Sequence, residues 1–154
     1  VAFIGDGNKV AHSLMFCGAQ LGSHVVIGCP RGFEPKADAL EWASRQAAKT
    51  GGSCRITNDP VEAVSGADVV YTDVWASMGQ ESEAEARRQV FVPYRVDAKL
   101  FGRAKADAIF MHCLPAHRGD EVTDEVVDSP RSVVFQEAEN RLHAQKAILL
   151  ELMK

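Results

Sequence analysis

The stretch Ala108-Ile109-Phe110-Met111-His112-Cys113-Leu114-Pro115-Ala116-His117-Arg118-Gly119 decides how this chain is read. Its first four residues are apolar without interruption, the pattern of a strand buried on both faces of a parallel sheet. The run then stops on His, Cys and a Leu-Pro turn, which puts reactive side chains at one rim of that sheet. Two other apolar runs end the same way. Val1-Ala2-Phe3-Ile4 passes into Gly5-Asp6-Gly7-Asn8-Lys9, and the run at 67–72 passes into Asp73-Val74-Trp75-Ala76-Ser77-Met78-Gly79. In a parallel sheet the three loops share the carboxyl-end rim, where such sheets bind ligands.

Between these strands the pattern alternates. Asp6 or Asn8 is the expected cap of the helix that follows, with Val10, Leu14, Cys17, Gly18 and Leu21 at helical spacing. A second strand lies at 24–29 and a second helix at 36–49, on Leu40, Ala43 and Ala47. A weak edge strand falls at 53–57. Asp59-Pro60 caps and opens a short helix that stops at Gly66. Glu81, Glu83 and Glu85 precede Arg87 and Arg88, the charge order of a helix running to about Phe91. A further helical turn is expected at 96–101, a short helix near Asp124, a strand at 132–135 and a last helix at 136–154. Strands alternating with helices define an α/β fold: three layers, αβα, around a doubly wound parallel sheet. The expected division is an α/β domain over 1–135 and a terminal helix over 136–154. A chain whose first residues already form a core strand reads as part of something longer.

Bulk properties narrow the function. A net charge of −4 over 154 residues provides no basic field for nucleic acid or an anionic membrane. No apolar run approaches a membrane span. Cysteines 17, 29, 54 and 113 lack CxxC spacing. They fit a reducing cytoplasmic setting, with three of them as core residues. Gly5-Asp6-Gly7 follows a first strand as a dinucleotide fingerprint would, but the third glycine would fall at Val10, and the second strand ends Gly28-Cys29-Pro30 without an acid for a ribose. No cofactor is expected. His112, Cys113 and His117 are of metal-ligand type, yet no second ligand cluster accompanies them, so no metal is expected. His117 reads as a solvated loop residue.

Asp73 is the more telling residue. As a turn residue it is unremarkable, but with Ser77 and neighbouring N–H groups beside it, it suits an α-ammonium and a carboxylate at fixed separation. Asn8 adds an amide that both donates and accepts. Together they suit an α-amino acid, with Cys113 at the same rim.

The phrases Asp73-Val74-Trp75-Ala76-Ser77-Met78-Gly79-Gln80-Glu81, His112-Cys113-Leu114-Pro115-Ala116-His117 and Glu137-Ala138-Glu139-Asn140-Arg141-Leu142-His143 resemble the ornithine carbamoyltransferase family. The likeness runs along the whole chain and corresponds to the ornithine-binding half of that enzyme. It implies transfer of a carbamoyl group from carbamoyl phosphate to the δ-amino group of L-ornithine, giving citrulline and phosphate for arginine biosynthesis. By the resemblance Asp73 binds the α-ammonium, Ser77 and Met78 lie near the carboxylate, and Asn8 and Lys9 line the site. His112 and Cys113 meet the δ-nitrogen, Cys113 and Leu114 the carbamoyl group, and Arg141 the carbamoyl phosphate. Cys113 or Asp73 is the expected proton acceptor, and Leu114-Pro115 is expected to be cis.

Two departures stand out. Relatives carry Asn-Asn where this chain has Asn8-Lys9, and the family's Ser-Thr-Arg-Thr phosphate motif is absent. The isolated chain is therefore expected to be inactive, within a complete enzyme that is a homotrimer or higher. The alternatives are a carbamoyltransferase for another amine or a modified ornithine, and a non-catalytic amino-acid-binding module.

Overall fold

A computed structural model describes residues 1–76, 82 and 84–154. Five strands form one parallel sheet: β1 (Ala2–Ile4), β2 (His24–Gly28), β3 (Ser53–Thr57), β4 (Val69–Thr72) and β5 (Ile109–His112), in the spatial order β3-β2-β1-β4-β5. The chain winds outward from β1 to β3 on one side, then crosses back to place β4 and β5 on the other. Strand order therefore reverses between β1 and β4, which opens a crevice at their carboxyl ends. The doubly wound parallel sheet read from the sequence is the fold observed.

Side chains alternate across the sheet and build two cores. Ala2, Ile4, Val70 and Phe110 face one layer, with Val96, Phe101, Val126 and Val134. Phe3, Val25, Ile27 and Tyr71 face the other, beneath α1 (Lys9–Gln20) and α2 (Ala37–Thr50). Phe3, Ile4, Ile27 and Phe110 are fully buried, each contributing about 1.5–3 kcal/mol by leaving water. Remaining helices are α3 (Pro60–Val64), α4 (Ala84–Phe91), α5 (Ala98–Phe101), α6 (Asp124–Val127) and α7 (Val134–Leu152).

Three expectations are corrected. The fully buried stripe of α1 is Ala11, Met15 and Ala19; Val10 and Leu14 are partly buried against the same core, whereas Cys17 and Leu21 are exposed, Leu21 by 81%. Small residues win that face because they let the helix lie close to the sheet: a Cβ on Gly18 would sit 2.4 Å from Val25 Cγ2. Cys17 is accordingly an exposed cysteine, not a core one. Residues 132–135 form no strand. The segment makes one parallel bridge, Ser132 to Phe110, with Val133 N–H donating to Phe110 O at 3.0 Å. It then turns at once into α7, which begins at Val134 rather than 136, as Glu137 N–H reaches Val133 O at 2.9 Å. A three-residue apolar run fits a strand or a helix start equally well.

Gly7 marks a close approach. Its N–H donates to Phe33 O at 2.8 Å, and a Cβ there would lie 2.3 Å from Pro35 N. The crossing 33–35 segment thus buttresses the turn that delivers Asn8.

Candidate functional site

The turn after β1 ends on Asn8, the N-cap of α1. Its Oδ1 accepts from Val10 N–H at 2.9 Å and Ala11 N–H at 3.4 Å, which satisfies two orphan donors of the helix. Capping fixes the amide's orientation and leaves Nδ2 aimed across the crevice, where it donates to Asp73 Oδ2 at 3.4 Å. Asp73 follows β4 directly and is 8% exposed. Its other oxygen, Oδ1, accepts from the Cys113 thiol at 3.2 Å. Residues 8, 73 and 113, far apart in the chain, thus form one hydrogen-bonded row across the ends of β1, β4 and β5.

The thiol in this row stays protonated. Burial pushes its pKa up from 9.0 to about 12, and the Asp73 charge and hydrogen bond push in the same direction. The residue as a whole is nevertheless exposed, so reagents and substrates reach it.

His112 is the last residue of β5 and is buried. Its Nδ1 accepts from Leu114 N–H at 2.9 Å, an arrangement that assigns the ring proton to Nε2, which faces Glu121 Oε1 at 3.2 Å. Glu121 Oε1 also accepts from His117 N–H at 2.6 Å. These bonds hold Leu114 at φ 56, a left-handed conformation costly for a branched side chain. The Leu114-Pro115 bond is cis, as expected. Beyond the corner, Arg118 pins the loop to α6 through Asp124 at 2.7 Å and Asp128 at 2.6 Å.

A second tie crosses the crevice lower down. Arg87 of α4 donates to Asp6 Oδ2 at 2.8 Å and to Trp75 O at 3.0 Å, with the Phe33 ring 5.1 Å from its guanidinium carbon. Burial raises the Asp6 pKa; the Arg87 hydrogen bond and charge oppose it. Trp75, Ala76, Glu85, Arg88, His117, Asp120 and Glu121 line an adjoining cleft of about 290 Å³.

Ligand atoms of Asp73, His112 and Cys113 lie within 4.8 Å of one another. The trio does not fit a metal centre, because both His112 nitrogens are committed to Leu114 and Glu121 and the thiol donates to Asp73. Lys9 is exposed at the start of α1, its side chain unpaired among the described residues. Arg141 is exposed on α7, one turn past Glu137, and makes no ion pair or hydrogen bond among the described residues. Ser77 and Met78, like Glu81 and Glu83, lie outside the described residues.

Sequence reasoning missed Tyr71, Glu121 and Glu137 as members of the cluster. Tyr71 Oη donates to Glu137 Oε1 at 2.5 Å, and His112 N–H donates to Glu137 Oε2 at 3.1 Å. Burial first, then Glu137, pushes the Tyr71 hydroxyl upward. The signal was faint: a tyrosine in an apolar strand reads as core, and an acid in a helix's first turn reads as dipole compensation.

A parallel α/β sheet with an amide, a carboxylate and a thiol lined up at its switch point defines a domain built to hold a small polar molecule. The chain belongs to the aspartate/ornithine carbamoyltransferase family, whose Asp/Orn binding domain matches residues 1–152. It is 60% identical over 153 residues to an ornithine carbamoyltransferase of Thermococcus kodakarensis, a match covering 99% of this chain and 49% of that protein. Among solved structures, ornithine carbamoyltransferase from Pyrococcus furiosus superposes with a TM-score of 0.91 at 60% identity, covering 96% of this chain and 47% of the other. The anabolic enzyme from Campylobacter jejuni subsp. jejuni NCTC 11168 gives 0.94 at 40% identity, covering 98% and 50%. The chain thus spans about half the length of the relatives it matches. Among the described residues, no helix is long and apolar enough to cross a membrane.

Proposed function

We propose that this chain is the ornithine-binding half of an ornithine carbamoyltransferase, which transfers the carbamoyl group of carbamoyl phosphate to the δ-amino group of L-ornithine. The observation that carries the reading is the Asn8–Asp73–Cys113 row at the switch point, in a chain whose relatives carry that name. Asp73 takes the α-ammonium, Ser77 and Met78 lie near the carboxylate, and Asn8 and Lys9 border it. Cys113 faces the δ-nitrogen, His112 supports it from the buried end of β5, the Cys113-Leu114 backbone meets the carbamoyl group, and Arg141 reaches the carbamoyl phosphate.

The chemistry follows from charge. An alkylammonium has a pKa near ~10.4, so the attacking amine must shed a proton at neutral pH. Cys113 keeps its own proton, since its pKa is pushed up to about 12; its sulfur orients the nitrogen while Asp73 accepts. Nitrogen then bonds to the carbamoyl carbon, the bond from that carbon to the phosphate oxygen breaks, and the departing phosphate takes the second proton that nitrogen sheds, the first resting on Asp73. Orientation by the row is worth more here than acid–base strength.

In this reading 1–135 is the amino-acid-binding unit and the terminal helix docks on the half of the enzyme that binds carbamoyl phosphate. Leu142, Leu149, Leu152 and Met153 support it, being 59%, 56%, 77% and 81% exposed along α7 and its C-terminal cap. The complete enzyme works as a homotrimer or larger, in the cytoplasm; four free cysteines suit that setting. Lys9 favours the second reading, a different amine or a modified ornithine, because its cation stands where relatives carry an amide. Calorimetric titration with ornithine, with and without carbamoyl phosphate and the remaining half, tests both. Citrulline is expected only when the halves are combined. Binding of a different amine in preference to ornithine would install the second reading, and no citrulline from the combined halves would end the first.

A further inference from the structure

Glu137 does something the transfer reaction does not by itself require. His112 ends β5, and beyond β5 the described residues supply only the single bridge at Phe110 and Ser132. The His112 N–H therefore has no strand partner at this edge, and Glu137 Oε2 accepts it at 3.1 Å. The other oxygen, Oε1, takes the hydroxyl of Tyr71 at 2.5 Å, a residue of β4 that is 6% exposed. One carboxylate in the first turn of α7 thus joins the ends of two strands. Cys113 follows His112 directly, so the bond that holds the His112 N–H also holds the backbone that carries the sulfur.

We propose that Glu137 is a positioning residue of this site: it holds the Tyr71 hydroxyl and the His112 N–H together, and through them sets where the Cys113 sulfur stands relative to Asp73. The identity of the amine that meets this sulfur rests on the function proposed above; the hydrogen bonds do not. Glu137 touches no reacting atom in this scheme. Because it shares α7 with Arg141, one turn away, it also makes the helix and the thiol corner a single rigid unit.

The charges around the sulfur give the proposal a signature. Asp73, which accepts from the thiol, and Glu137 each oppose thiolate formation by their charge. The single proton of the Tyr71 hydroxyl goes to Glu137 Oε1 and screens that charge. Glu137→Gln removes the charge. Tyr71→Phe leaves it and takes away the screening proton. A tie that only held the fold together would loosen in both variants and expose the thiol alike.

The test is the rate of iodoacetamide alkylation at Cys113, read peptide by peptide by mass spectrometry in the intact chain, between about pH 8 and about pH 11. Glu137→Gln is expected to react about threefold faster or more at a given pH, and Tyr71→Phe about threefold slower. Changes in the same direction, or an unchanged profile in Glu137→Gln, overturn the proposal. Should Tyr71→Phe not fold by circular dichroism, Glu137→Asp takes its place, keeping the charge while shortening the tie: alkylation no faster than in the unsubstituted chain is expected, and acceleration overturns the proposal. Alkylation needs no transferase activity. Opposed shifts in a chain that ignores ornithine would keep this role for Glu137 and remove the function; ornithine binding with unopposed shifts would do the reverse.

Discussion

Asn8 performs two tasks with two ends of one amide, and substitutions can separate them. Asn8→Ala removes both. Losing the N-cap costs about 1 kcal/mol. Losing the donor to Asp73 adds roughly another 1 kcal/mol, below the usual range for a bond to a charged group, because 3.4 Å is long. The sum of about 2 kcal/mol lowers the melting temperature of a domain this size by roughly 4–8 °C. Asn8→Asp keeps the cap, since either carboxylate oxygen accepts from Val10 and Ala11, but it turns a second carboxylate toward Asp73. Like charges at that separation raise the pKa of one member. A carboxyl whose folded pKa is raised stabilises below its unfolded value and is penalised as pH rises through the folded one. Asn8→Asp should therefore match the unsubstituted chain near about pH 4 and fall behind it by roughly 1–2 kcal/mol near about pH 7. Asn8→Ala should show a deficit with little pH dependence. Urea denaturation followed by far-UV circular dichroism from about pH 4 to about pH 8 reads both. Parallel curves for the two variants would refute the division of labour and reduce Asn8 to a cap.

Arg87→Gln should cost more stability than Asp6→Asn, by about 1 kcal/mol or more, because the first strands a largely buried carboxylate, whereas after the second Arg87 keeps Trp75 O, the Phe33 ring and an amide oxygen to donate to. The Asp6 pKa is already raised by burial, so the Arg87→Gln deficit should shrink as pH falls through the further raised folded value; thermal melts across the acid range check the sign. Leu149→Lys with Leu152→Lys should leave the melting temperature of this chain within about 2 °C, since both side chains are exposed. The same pair should abolish recruitment of the remaining half in analytical ultracentrifugation, and unimpaired recruitment would remove α7 from that interface.

The fold class was legible because its signals are local. Uninterrupted runs such as 1–4 and 108–111, each closed by a turn signal, suit strands covered on both faces, and Asp59-Pro60 or Asn8 mark helix starts by their own side-chain chemistry. The three loops that carry the site were legible for the same reason, each following such a run. What the sequence by itself determined was this inventory: a parallel α/β chain with Asn8, Asp73 and Cys113 beyond strand ends. Tertiary structure decided the rest. Strand order β3-β2-β1-β4-β5, which no local pattern encodes, brings Asn8 and Asp73 face to face. It decided which stripe of α1 is buried, since close approach to the sheet favours alanine over leucine. It also turned the apolar residues 133–135 into the start of a helix, and so delivered Glu137 to Tyr71 and His112. Those partners are 66 and 25 positions away from it in the chain. A hydrogen bond over that distance depends on where whole elements pack, and packing is a property of the complete fold rather than of any stretch within it.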